Sequence, residues 1–191
     1  MSSKVLLHKY FTYTAILFKI KFISGMKNRF TTLDIISCIE ELKPVLSDLR
    51  VNNVYDCNSR TYLIKLQKPD KKYNLLIESG IRFHTTTFDW PKSSIPNGFS
   101  MKLRKHIRGK RLSSIDQLGG DRILILSFGE GEQFTYRLIV ELYDKGNMIL
   151  TDFYFNILHL LRFFSDEDDD VNIRTGEKYP IDFFQKLFIN L

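Results

Sequence analysis

From Thr31 onward the apolar residues Ile35, Ile39, Leu42, Leu46 and Leu49 recur at spacings of four and three, the repeat that lines one face of an α-helix. Thr31 ahead of Asp34 supplies a hydroxyl cap and a first-turn acid, so the helix is expected to start there. Pro44 is expected to kink it or split it in two. Beyond Arg50 the period changes to two. Strands are predicted at Val51 to Asp56, Thr61 to Gln67, Tyr73 to Ser79 and Arg82 to Thr86, an antiparallel meander punctuated by Asn58-Ser59, Pro69-Asp70 and Gly80. The stretch Asp89 to Gly98 holds two prolines and a glycine and reads as a loop. Phe99, Leu103 and Ile107 then mark a second helix, closed by Gly109. A second β block follows at Arg122 to Phe128, Phe134 to Leu142, Met148 to Thr151 and Asn156 to Phe164. The acidic run Asp166 to Asp170 reads as a solvated loop, and Pro180 with Asp182 marks a short final helix from Ile181. The order helix, β block, helix, β block predicts an α+β fold: an antiparallel β-sandwich-like domain flanked by helices.

Residues 1–25 do not share this patterning. Lys9 and Lys19 bracket an apolar run of nine residues, far short of the roughly 20 that a spanning helix needs, so no membrane anchor is expected. Lys19 and Lys21 fall where a signal peptide would carry small residues before its cleavage site, which argues against a secretory leader. The expected organisation is an extension at 1–25, a domain at 26–182 and a tail at 183–191.

The 191 residues are 43% hydrophobic and 26% charged, ordinary for a globular chain and far from the composition of disorder. Cys38 and Cys57 are too few for a disulfide framework, and with four scattered histidines they make a structural zinc site improbable; they read as reduced thiols. No metal and no cofactor are expected. The net charge of +6 is unevenly spread. Residues 1–25 hold four lysines and no acid, which leaves 24 basic against 22 acidic residues elsewhere. Local clustering therefore matters more than the total.

One cluster stands out. Lys102, Arg104, Lys105, Arg108, Lys110 and Arg111 put six cations into ten residues, with His106 among them. Because Leu103 and Ile107 take the buried stripe, the cations spread over the rest of the helix, a surface suited to the phosphate backbone of RNA. The competing reading is a solvated helix that pairs with the Asp166 to Asp170 loop. A second candidate is Gly119-Gly120-Asp121-Arg122 ahead of an apolar strand. There an acid beside a guanidinium can hold a polar ligand or simply cap the strand, and spacing alone favours the cap. Arg82 and His84 share a strand face but have no nucleophile or second base nearby in sequence. No phosphate-binding glycine loop, dinucleotide fingerprint, zinc-protease motif or nucleophile elbow is present.

Read from Met26, MKNRFTTLDIISCIEELKPVLSDLRVNNVYD, TYLIKLQKPD, ESGIRFHTTTFDWPK, KLRKHIRGKRL, DRI and VELYDKGNMILTD closely resemble the N-terminal domain of the NFACT family, in its eukaryotic branch. The family takes in the nuclear export mediator factor, the ribosome quality-control tailing subunit and bacterial fibronectin-binding-protein-A-like relatives. The resemblance runs from Met26 to about Pro180. It implies a fold akin to the N-terminal domain of formamidopyrimidine-type DNA glycosylases. It also implies binding to the peptidyl-tRNA-obstructed large ribosomal subunit and to aminoacyl-tRNA, in support of template-free C-terminal tailing. The family's functional acid falls on Asp34 and its functional Asp-Arg pair on Asp121 and Arg122, which reverses the capping preference for that pair. Engagement of a listerin-type ubiquitin ligase belongs with the coiled-coil region that family members carry beyond this domain. The expected location is the cytoplasm, with the nucleus as a second compartment.

The alternative is a DNA glycosylase-like enzyme, argued from the shared fold, which does not carry function. Those enzymes use the amino group of a proline that follows the initiator methionine. Here Ser2 follows Met1 and Lys27 follows Met26. The expected class is a non-enzymatic binding module; an extracellular adhesin, the third class, lacks a convincing leader.

Overall fold

The computed structural model describes residues 29–166 and 171–182. The expected extension 1–25, the tail 183–191 and residues 167–170 of the acidic run lie outside the described residues. In chain order the elements are α1 (Thr32–Leu46), β1 (Arg50–Asp56), β2 (Thr61–Lys68), β3 (Lys71–Glu78), β4 (Arg82–Thr86), α2 (Gly98–Ile107), β5 (Leu112–Gln117), β6 (Ile123–Phe128), β7 (Tyr136–Glu141), β8 (Asn147–Thr151), β9 (Ile157–Leu160), β10 (Phe164–Asp166) and β11 (Val171–Ile173). All sheet pairings are antiparallel between neighbours in sequence, giving one meander β1-β2-β3-β4, a second β5-β6-β7-β8-β9, and the small pair β10-β11.

The first helix begins at a reciprocal cap. The Thr31 backbone N–H donates to Asp34 Oδ2 at 2.8 Å, and the Asp34 N–H donates back to Thr31 Oγ1 at 3.4 Å. Pro44 does not split it. One turn from the end, its missing N–H leaves a single carbonyl unserved, and the helix runs on to Leu46 before Asp48 turns left-handed at φ 69°. A proline inside a helix is unfavourable by about 3 kcal/mol. Burying Ile35, Ile39, Leu42 and Leu46 returns roughly 1.5–3 kcal/mol each, so the packing term wins.

One core joins both meanders and both helices: Ile35, Leu46, Tyr62, Ile64, Leu75, Ile77, Phe99, Leu103, Leu124, Leu126, Leu138 and Val140 all belong to it. The helices line the sheet margins, α1 against β5 and β4, α2 against β1 and β9. The alternate residues Ile123, Ile125, Ile139 and Ile149 point to the opposite face of the second sheet, where Ile173 and Tyr179 cover them. Strands β6, β7 and β8 are therefore buried on both faces, which explains the unbroken Ile123-Leu124-Ile125-Leu126 run where a one-sided strand would alternate.

Three sequence expectations need correction. The segment Leu112–Gln117, left unassigned, is edge strand β5. Asn156 to Phe164 is not one strand. After Leu160 the chain leaves the sheet, because Arg162 donates to the carbonyls of Lys145 and Gly146, at 2.7 and 2.6 Å, and its N–H donates to Asn147 Oδ1. Finally, Asp166 lies in strand β10, paired with Val171, and not in a loop. The final helix starts at Ile181 as expected, with only Ile181 and Asp182 described.

The two sheets meet at one end through backbone alone. Gly80, in the β3–β4 turn, donates its N–H to the Glu141 carbonyl at 3.1 Å and sits against Gly146 in the β7–β8 turn. A Cβ on Gly80 would lie 2.9 Å from Gly146 N, and one on Gly146 would overlap the Gly80 backbone. Both glycines also hold positive φ, 76° and 71°. Beside this contact Glu141 is buried and accepts a hydrogen bond from the Tyr179 hydroxyl at 3.1 Å. Burial pushes its carboxyl up to about 7, Asp121 adds to the rise, and hydrogen bonds from Tyr179 and Tyr143 oppose it.

Two predictions follow from this end of the fold. In urea melts Gly146→Ala should lose at least ~3 kcal/mol, whereas Gly109→Ala, equally left-handed at φ 79° but with open space around its Cβ, should lose about 1 kcal/mol. Equal losses would show that sterics at Gly80 do not matter. For Glu141 the folded carboxyl titrates above its ordinary 4.5, so its contribution is fully present below pH 4.5 and is lost as pH rises through about 7. Denaturant melts from pH 4.5 to 8 should show a decline with this window, on the order of 3 kcal/mol at most, that Glu141→Gln removes. A slope that persists in the glutamine variant would assign it to another group.

Candidate functional site

The basic helix α2 is held by its apolar stripe and its ends. Asn97 caps it by accepting from the Ser100 N–H at 2.7 Å, and Gly109 follows the last turn at positive φ. Phe99, Leu103 and Ile107 are buried, as their spacing predicts. The seven expected RNA contacts then divide. Arg104 turns inward: its Nε donates to the Val54 carbonyl at 2.7 Å and its guanidinium lies over the Tyr55 ring. Lys110 donates to the Phe134 carbonyl at 2.7 Å, 5.0 Å from the Tyr136 ring centre. Arg111 pairs with Asp48 at 3.6 Å and Glu130 at 3.4 Å. His106 packs on Tyr136 with ring centres 4.8 Å apart.

Lys102, Lys105 and Arg108 remain. All three are exposed, and none has a hydrogen bond or ion pair among the described residues. The field of Lys105 and Lys102 is felt by His106, whose pKa is lowered by burial first and then by Lys105, Lys102 and Lys110. A surface whose cations are not already paired is the kind that gains from a phosphate backbone, because no intramolecular partner has to be given up.

Asp34 stands in the first turn of α1, Asp121 and Arg122 in the turn between β5 and β6, and backbone bonds link both segments to the end of the sandwich where Gly80 meets Gly146. The chain of backbone bonds is short. Phe30 N–H donates to the Ile81 carbonyl at 2.8 Å, Gly80 N–H to Glu141, and Leu142 N–H to the Arg122 carbonyl at 2.8 Å. The start of α1 and the β5–β6 turn are thus tied to one hub. Asp34 Oδ2 is engaged by Thr31, whose hydroxyl donates at 2.7 Å. Asp121 Oδ1 accepts from the Arg122 N–H at 2.6 Å, and the Asp121 carbonyl accepts from Gln117 Nε2 at 2.6 Å. The Arg122 guanidinium has no ion-pair or hydrogen-bond partner among the described residues. Asp121 therefore shapes the turn while its neighbour's cation is left uncommitted. Arg82, on the adjoining strand, is already paired with Glu78 at 2.7 Å, and His84 has its pKa lowered chiefly by burial. Neither belongs with the open cations.

The remaining chemistry at this end is unreactive. Cys38 is half-buried, its Sγ donates to the Phe83 carbonyl at 3.4 Å, and its thiol is pushed up to about 12 by burial and then by Glu41 and Asp34. Cys38 and Cys57 are both free thiols. Among the described residues no three His, Cys, Asp or Glu side chains gather in a way that could hold a metal, and no helix is long and apolar enough to cross a membrane.

The sequence reading missed Phe134 and Tyr136 as neighbours of the basic helix. The sequence predicts a strand from Phe134, yet this residue lies in the 129–135 loop, because Thr135 N–H and Oγ1 both donate to the Gly131 carbonyl and delay pairing until Tyr136.

Comparison with known proteins fits this architecture. The chain is 55% identical over 157 residues to the mouse (Mus musculus) ribosome quality control complex subunit NEMF, covering 82% of this chain and 15% of the relative. It is 43% identical over 162 residues to ribosome quality control complex subunit 2 of Schizosaccharomyces pombe, covering 82% and 16%. The chain thus spans about one-sixth of the length of these relatives. The crystal structure of the N-terminal domain of the fibronectin-binding protein PavA from Streptococcus pneumoniae superposes with a TM-score of 0.70 at 22% identity, over 78% of this chain and 63% of that one, which establishes a common fold. With residues 31–182 matching the NFACT N-terminal and middle domains, and with eukaryotic relatives at this level of identity, the chain belongs to the NFACT family.

Proposed function

We propose that this domain acts in ribosome-associated quality control as a non-enzymatic binding module. In this reading it binds the peptidyl-tRNA-obstructed large ribosomal subunit and tRNA, and supports template-free C-terminal tailing of the stalled chain in the cytoplasm. The observation that carries the reading is the set of three exposed, unpaired cations, Lys102, Lys105 and Arg108, on one helix of a chain whose relatives are named as ribosome quality control subunits. Lys110, Arg111, Arg104 and His106 act behind them, holding the helix and its neighbouring loop in place through the contacts described above. A listerin-type ubiquitin ligase is a partner of the assembly that supplies the coiled-coil region. The fold kinship with the N-terminal domain of formamidopyrimidine-type glycosylases belongs to this reading as architecture only.

Asp34, Asp121 and Arg122 form the second part of the proposal, a polar site for the amino acid end of a tRNA or an adjacent RNA group. Arg122 offers planar donors and the two acids orient it or accept from the ligand. The convergence of the α1 cap and the β5–β6 turn supports this. Strand β6 is six residues long, so at about 3.3 Å per residue this end lies roughly 20 Å from the 129–135 loop beside the last turn of α2. Binding and tailing should therefore separate by mutation.

Lys105→Glu with Arg108→Glu should weaken binding to purified large subunits or tRNA and flatten its salt dependence, with melting unchanged, since both side chains lie off the buried stripe. An unaltered affinity across the salt series would refute the RNA-facing helix. Asp121→Ala and Arg122→Ala, placed in a full-length family member, should abolish tail synthesis while ribosome binding persists and melting shifts little. If either substitution unfolds the domain, or if tailing continues with both in place, the pair is strand-capping structure.

A further inference from the structure

Beside the last turn of α2 the 129–135 loop holds a large aromatic ring out to solvent. Phe134 is 63% exposed although it sits between the interior strand ends of β6 and β7. The loop is not loose. Gly129, at φ 99°, donates its N–H to the Arg111 carbonyl at 2.8 Å, and a Cβ there would overlap the Phe134 carbonyl. Thr135 binds Gly131 twice, and Lys110 holds the Phe134 carbonyl while its ammonium stands 5.7 Å from the centre of the Phe134 ring. The ring is therefore fixed in an exposed position by backbone contacts that do not use its own apolar surface. Its setting is aromatic and cationic: the Lys110 ammonium also stands 5.0 Å from the Tyr136 ring, Tyr136 packs with His106, and the open cations Lys105 and Arg108 lie beside His106 at the end of α2.

The acids of the loop shape the choice of ligand. Glu130 shares the Arg111 guanidinium with Asp48, and Glu132 accepts from the Tyr154 hydroxyl at 2.6 Å, so the acids of the loop are not fully offset. Two carboxylates on the loop repel a phosphate there, whereas the helix a turn away attracts one. An uncharged planar group is what the exposed ring can accept. A duplex hides its base faces in the stack, so only an unpaired base can reach the ring while its backbone crosses the cations.

We infer that Phe134 is a stacking platform for an unpaired RNA base, whose phosphates lie along Lys102, Lys105 and Arg108. This rests on the RNA-facing helix proposed above and assigns its ligand as single-stranded or looped RNA. The ring supplies a π-face to any base, so the contact is tolerant of sequence, and the cations supply the salt-dependent part of the affinity.

The test uses the full 191-residue chain with a ten-nucleotide single-stranded RNA carrying one 2-aminopurine, and a perfect RNA duplex of the same sequence. Phe134→Ala should weaken the single strand about 5- to 150-fold and abolish the fluorescence quenching that stacking produces, with duplex affinity and the salt slope unchanged. Phe134→Tyr should restore both, and Phe134→Leu, which keeps apolar area but has no π-face, should not. Equal weakening of single strand and duplex, or full rescue by leucine, would show that the ring packs locally or makes a nonspecific apolar contact. Unchanged single-strand binding in Phe134→Ala, with Lys105→Glu/Arg108→Glu still impairing it, would overturn the platform and leave the basic helix standing. Binding unaffected by either set of substitutions would overturn both.

Discussion

The contact between Gly80 and Gly146 is the constraint on which the rest of this domain depends. Two antiparallel meanders need a fixed relation if one core is to fill both; backbone bonds between 48–51 and 109–112 tie the start of β1 to the start of β5, and the glycine contact fixes the sheets at their turns. Here the β3–β4 turn and the β7–β8 turn touch backbone to backbone, at a separation that excludes any Cβ, with a hydrogen bond from Gly80 to Glu141 to set the register. From that point the start of α1 is bonded through Phe30 to Ile81, and the start of β6 through Arg122 to Leu142. The same interlock that joins the sheets thus ties in the segments that carry Asp34, Asp121 and Arg122.

The second sheet adds a further constraint. Its middle strands are apolar on both faces, so they need covers on both sides: the first sheet and α1 on one, the segment that ends in Tyr179 on the other. Burying Glu141 beneath that cover costs stability when it ionises, and Tyr179 offsets part of the cost through its hydroxyl. Opposite the interlock, the 129–135 loop and α2 form a surface of a different character, where cations are left unpaired and an aromatic ring is held in water.

Elements with a one-sided period were legible in the sequence. The stripe from Ile35 to Leu46, the meander from Val51 to Thr86 and the buried face of α2 appear where the spacing put them. Strand β5 was not legible, because Leu112 and Ile115 are its buried pair and a register shift between Leu112 and Ser114 breaks the alternation. Pro44 does not split α1, because a helix-breaking residue in the last turn is outweighed by four buried side chains. The basic cluster was visible as composition, but its division was not: nothing local says that Arg104 turns to Val54, fifty residues away, or that Arg111 meets Glu130. Asp121 and Arg122 read as a strand cap on spacing alone, and Asp121 does accept from the Arg122 N–H at the turn; the resemblance is what makes the pair a candidate site. Phe134 left no signal, because its exposure comes from the glycine geometry of its loop.

The central claim is that two separate ends of this domain face RNA, the α2 and 129–135 surface and the turn end around Arg122. Amide hydrogen exchange of the full chain with and without tRNA tests it most directly. The account predicts slowed exchange in 102–110 and 129–136 together with 30–34 and 118–122, and no change in the β2–β3 hairpin around Pro69-Asp70. Protection confined to that hairpin, or spread evenly over the chain, would contradict it.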